Sequence, residues 1–128
     1  MASGLYGITF LNALKNDLAL DLDDTTADRF KAMLVTSSYT PNFGTHDFKS
    51  DVTNEVSGTG YDAGGKSLTS VTLTQSGGTI TFDAADLTWA SSTITARGAV
   101  VYDDSLTNDP LICYIDFGAD KSSSAGDF

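Results

Sequence analysis

The chain holds one cysteine, Cys113, and one histidine, His46. A single cysteine excludes an intrachain disulfide and any thiolate zinc cluster. A single histidine excludes two-histidine metal motifs and leaves one possible base for Ser-His-Asp chemistry. Basic residues are also scarce: Lys and Arg number 7 against 17 Asp and Glu, a formal net charge of −10. That balance argues against a nucleic-acid surface, which needs clustered positive charge to displace counterions. It argues equally against an anionic membrane. The longest apolar runs are short, such as residues 111–115, far below the ~20 residues that span a bilayer. Residues 1–10 lack the basic start and long apolar core of a signal peptide, so folding in a cytoplasm is expected. No cofactor is expected, and no nucleic-acid or membrane partner.

The 128 residues suffice for one domain, 1–128. Hydrophobic residues make up 41% of the chain, enough to make a core without covalent staples and to exclude disorder on composition. Of the acids, all but Glu55 are aspartates. Aspartate favours turns and caps, whereas glutamate favours helix interiors. Together with abundant Thr, Ser and Gly, this points to strands and turns.

Helical periodicity appears once, over residues 5–18 of an N-terminal segment 1–27. There Leu11, Leu14 and Leu18 fall at i, i+3 and i+7, and Ser3 or Thr9 is placed to cap the start. Residues 29–37 predict a strand. Phe30, Ala32 and Leu34 face one way and Met33 and Val35 the other, with both faces covered. Residues 39–66 form a long loop inserted between strands, broken by Pro41, Gly44, Gly58, Gly60, Gly64 and Gly65. Within it, residues 52–56 suit a short strand or one helical turn. Strands are then expected over 67–75, 79–83, 86–90, 93–102 and 111–117. Ile80, Phe82, Leu87 and Trp89 should point inward, and residues 118–128 should form a polar tail. This spacing predicts a mainly β fold, an antiparallel β-sandwich or jelly-roll-like barrel with one N-terminal helix.

No residue pattern builds a catalytic site. His46 and Asp47 are adjacent, and adjacent residues of an extended segment point apart, so His46 reads as an ordinary loop histidine. Cys113 lies among apolar residues with no base nearby, which describes a buried thiol. Asp21, Asp23, Asp24 and Asp28 lack the glycine and closing glutamate of a calcium loop. Asp103, Asp104 and Asp109 likewise read as an acidic turn. Gly58, Gly60, Gly64 and Gly65 precede no Lys-Ser/Thr pair of a P-loop. Trp89, Tyr6, Tyr39, Tyr61 and Tyr102 could stack on a sugar, although Trp89 in an alternating strand reads as core. Tyr39, Phe43, Phe48 and Tyr61 crowd the long loop and need burial, either against the sandwich or in a partner interface.

Several stretches resemble small virion structural proteins of tailed bacteriophages, of the capsid decoration (cement) type. They are residues 30–41 (FKAMLVTSSYTP), 45–48 (THDF), 51–61 (DVTNEVSGTGY), 82–89 (FDAADLTW), 92–97 (STITAR) and 111–118 (LICYIDFG). The matches run in order across residues 28–121. The resemblance implies a non-enzymatic protein of the virion, assembled in the host bacterial cytoplasm. It would bind the major capsid protein lattice, copies of itself, or both, as a homo-oligomer on the particle. On that basis the contacts are expected at Tyr6, Phe10, Tyr39, Phe43, His46, Phe48 and Tyr61. Alternatives within the same class are a host-recognition or carbohydrate-binding module of a tail or head fibre, and a tail-tube or connector component. Proteins of this kind commonly continue past the present tail into another strand. Here that strand is expected to be either absent or supplied by another subunit, which would leave an edge that a partner could complete by strand addition.

Overall fold

In the computed structural model, which describes residues 2–128, three long strands carry the core. They are β2 (Phe30–Val35), β6 (Thr95–Asp103) and β7 (Leu111–Ser122), paired antiparallel with β6 in the middle. The short strands β1 (Gly4–Leu5) and β3 (Lys66–Ser67) flank them, giving the order β1-β7-β6-β2-β3. Register explains the apolar alternation. Met33 lies opposite Val100 and Val100 opposite Tyr114, while Ala32 lies opposite Val101. Paired residues point to the same face. One face therefore gathers Met33, Val35, Val100, Tyr102 and Tyr114 with Tyr6 and Tyr39. The opposite face gathers Phe30, Ala32, Val101 and Ile112.

The expected mainly β, antiparallel architecture with one N-terminal helix is what the chain adopts. Its second sheet is a two-stranded ribbon, β4 (Thr72–Ser76) and β5 (Thr79–Asp83), and neither sheet closes into a barrel. Gly77 and Gly78 join the ribbon with φ of 55° and 84°, the double positive φ of a type I′ turn. The ribbon lies over the second face through Phe82, whose ring meets Phe30 edge-on at 5.4 Å.

Several expected boundaries move. The helix α1 spans Gly7–Leu14 only, and its N-cap is Tyr6 with no side-chain cap; Ser3 instead accepts the Asp116 N–H. Thr9 is the buried residue of α1, while Leu11 and Leu14 face solvent, because Tyr6 and Phe10 supply the apolar contacts on either side. The expected strand over 67–75 breaks at Ser70, whose φ is 52°, into β3 and β4. Residues 86–90 form no strand, yet Trp89 is buried as expected. Of the ribbon residues expected inside, Phe82 is half-buried and Ile80 is exposed, since the ribbon tip extends past the core.

The polar tail is also structured. β7 runs on to Ser122, after four residues that bulge out opposite Arg97. The last residues then turn back, and Trp89 and Phe128 exchange both backbone hydrogen bonds. On its outer side β7 pairs with β1 at Cys113 and Tyr114; beside these pairs the Tyr6 N–H donates to the Ile112 carbonyl and the Ser3 hydroxyl accepts the Asp116 N–H.

Candidate interaction surface

The long loop is fastened to the sheet at discrete points. Isolated bridges join Val35 to Glu55, Phe48 to Pro110 and Thr59 to Thr93. A short 3-10 turn, Lys49–Asp51, is closed by Asp51, which accepts the backbone N–H groups of Asp47 (3.0 Å) and Phe48 (3.3 Å). Those amides hold the Asp51 carboxyl below the usual carboxylate range. Burial, then the neighbouring Asp51, raises that of Asp47.

Inside this loop, the Tyr39 hydroxyl lies 2.7 Å from that of Tyr6 and 3.0 Å from His46 Nδ1. The Asn42 backbone N–H also donates to Nδ1, at 3.2 Å. A backbone amide is an obligatory donor, so Nδ1 carries no proton and the imidazole proton sits on Nε2. Tyr39 therefore donates to His46, and Tyr6 donates to Tyr39. Burial raises both phenol pKa values, holding both rings neutral. The partners of His46 Nδ1 are thus a phenol and a backbone amide.

The other candidate groups are similarly engaged. Tyr61 is buried, donates to Glu55 at 2.7 Å and accepts the Leu34 N–H. Glu55 also accepts the Gly64 N–H at 2.6 Å, so a carboxylate occupies the glycine-rich loop where a phosphate would have to sit. Burial pushes the Cys113 thiol up to about 11. Asp24 binds Arg29 and caps its own turn, Asp104 pairs with Lys31, and Asp28 accepts from Ser67.

Of the seven expected contact residues, Tyr6, Tyr39 and Tyr61 are core residues of this chain. That corrects the expectation for these three: the sandwich, not a partner, covers them. Phe10, Phe43, His46 and Phe48 are half-buried. Phe43 lies over Tyr6, with ring centroids 5.4 Å apart. Trp89 and Tyr102, offered as sugar-stacking rings, are buried as well.

The exposed apolar surface lies elsewhere. Leu5, Leu11, Leu14 and Ile115 are exposed by 58%, 50%, 88% and 46%. Leu5 pairs with Cys113, so Leu5 and Ile115 share a sheet face; Leu11 and Leu14 share a helix face on α1, which packs on β7. Beside them a cleft of ≈ 230 Å³ is lined by Phe82, Ala85, Val101, Cys113 and Ile115. Helical periodicity marks Leu11 and Leu14 as apolar, but it assigns them to the core. No protein-family model, no curated protein and no solved structure matches the chain.

Proposed function

We propose that the protein is a structural component of a tailed-phage virion, a head decoration protein that binds the major capsid protein lattice and stabilises the shell. The ordered resemblance across residues 28–121 supports the class. The single structural observation that carries the binding mode is the exposed leucine surface of the N-terminal segment: Leu5, Leu11 and Leu14. Covering one exposed leucine is worth about 1.5–3 kcal/mol, and a lattice repeats that gain at every copy. A ligand that binds only the assembled shell stabilises it by mass action. In this reading the contact surface moves from the buried tyrosines to α1 and β1, with the half-buried Phe10 of α1 and Phe43 beside Gly4 at its margin. The decoration reading is preferred over the carbohydrate-binding one because the rings that would stack on a sugar lie in the core.

The test is co-sedimentation of purified protein with capsid shells. Binding to expanded but not immature shells, lost in Leu11→Asp/Leu14→Asp, is the expected result. Failure to sediment with either kind of shell, or undiminished binding by the double variant, removes the reading.

A further inference from the structure

Residues 67–82 are sixteen in a row without a charge, in a chain of net charge −10. They include β4 and most of β5, a ribbon that shares no ladder with the main sheet. Only Leu73 and Phe82 of the ribbon are half-buried; its other residues are exposed, Ile80 by 72%. Natural edge strands are blunted by lysine, proline, bulges or inward charges. Residues 79–82 have no charge and no proline, and the β4–β5 ladder runs without a register shift.

The two-residue turn sets which backbone groups are free. Ser76 and Thr79 close the turn as a hydrogen-bonded pair, and pairs alternate from there. Thr74–Thr81 is then bonded across the ribbon, whereas Ile80 and Phe82 point their N–H and C=O outward. Neither residue has a backbone hydrogen bond outside the ladder among the described residues.

We infer that β5 is the contact strand between two copies of this chain, pairing antiparallel with β5 of the second copy about a two-fold axis at Thr81. That register sets Ile80 opposite Phe82 of the second copy, twice, and makes about four new main-chain hydrogen bonds. It covers Ile80 with an aromatic ring. It also sets Asp83 opposite Thr79, so the two Asp83 carboxylates do not face each other. The self-complementary register selects a second copy as the occupant: about the two-fold axis the same strand supplies both halves of each Ile80–Phe82 pair. Although two bodies of −10 repel, the uncharged ribbon is where they meet with least opposition. The inference does not depend on capsid binding, because its assay contains this chain alone.

Sedimentation velocity from about 10 µM to about 1 mM spans the weak affinities expected of so small an interface. The wild-type protein should shift from monomer to dimer over that range. Ile80→Lys, at an exposed position, should remain monomeric with an unchanged circular dichroism spectrum, and Gln75→Lys on the opposite edge should still dimerise. Amide exchange at Ile80 and Phe82 should slow as dimer forms. A wild type that stays monomeric, an Ile80→Lys dimer, or loss of the dimer in Gln75→Lys alone would each overturn the inference.

Discussion

Asp103 has no solvent exposure, and Arg29 bonds its Oδ2 twice, through Nε at 3.2 Å and Nη2 at 3.0 Å. The other oxygen accepts the Ser105 N–H and hydroxyl at 2.9 and 2.6 Å. The guanidinium also reaches Asp24 at 2.6 Å, so one arginine ties the turn before β2 to the end of β6. Arg29→Met leaves the buried carboxylate without a cation and should cost about 3 kcal/mol in urea unfolding. Asp103→Asn keeps an acceptor for Ser105 and should cost less. A loss below about 1 kcal/mol for Arg29→Met would show the pair to be dispensable.

The Tyr6–Tyr39–His46 chain makes a graded prediction. Tyr6→Phe removes a terminal donor and should cost about 1 kcal/mol. Tyr39→Phe removes both an acceptor for Tyr6 and a donor to His46, and should cost about 2 kcal/mol. The double variant should cost less than the sum, because the same bond is lost in both singles. Strict additivity in a double-mutant cycle would contradict the chain.

Two glycines with positive φ should respond differently. Gly65 has φ of 80°, and a Cβ there would sit inside the Ala32 carbonyl of β2. Gly77 has φ of 55° at the ribbon tip, where a Cβ meets nothing. Gly65→Ala should therefore abolish cooperative folding or cost more than about 4 kcal/mol, while Gly77→Ala should cost about 1 kcal/mol. Equal melting temperatures for the two variants would contradict the close approach of Gly65 to β2.

How much of this was legible varies with the range of the interaction. The alternation in residues 30–35 is local, and it assigned each residue to its correct face. Trp89 and Leu87 were legible as inward for the same reason, although their segment is not a strand. The periodicity of residues 5–18 places Leu11 and Leu14 inside, whereas an eight-residue helix is oriented by what it packs on. Tyr6 and Phe10 engage opposite faces of the sheet, which leaves Leu11 and Leu14 outside. No sequence signal singles out Tyr114, which falls between Cys113 and Ile115, because a strand covered on both faces has no polar side to mark it. Arg29 and Asp103 are 74 residues apart, and no sequence pattern announces such a pair. The long loop looked unstructured because its ties are single bridges, which impose no periodicity.

Acid should first stabilise the fold and then unfold it. Asp24 is lowered to about 2 by hydrogen bonds from Thr26 and then Arg29. Asp51 is lowered by the Asp47 and Phe48 amides, and Asp116 by Arg97. Each binds its proton less tightly when folded, so its contribution is complete above about pH 4 and is lost as pH falls through the folded value. Asp47 and Asp109 run the other way. Burial, reinforced by Asp51 and by Asp104 respectively, raises their folded values, so their protonation adds stability as pH falls. The melting temperature should rise as pH falls from neutral toward the unfolded carboxylate value of about 4, and drop below it. Asp24→Asn should flatten the acid limb. A monotonic fall from neutral pH would contradict the opposing shifts.

Phe128 closes the end of the core that holds the single tryptophan. Its ring lies edge-on to Trp89 at 6.3 Å and tilted against Phe117 at 6.2 Å. The two backbone bonds with Trp89 hold the returning segment in place and do not depend on the side chain. Phe128→Ala should therefore keep the fold. Because Phe128 is only half-buried, the substitution should cost about 1–2 kcal/mol, below the range for a fully buried phenylalanine. Water then reaches one edge of the indole, and the tryptophan emission should shift to the red in the folded state while unfolding stays a single transition. An unchanged emission maximum would mean that Phe128 does not shield Trp89, and the returning segment would then have no part in closing the core.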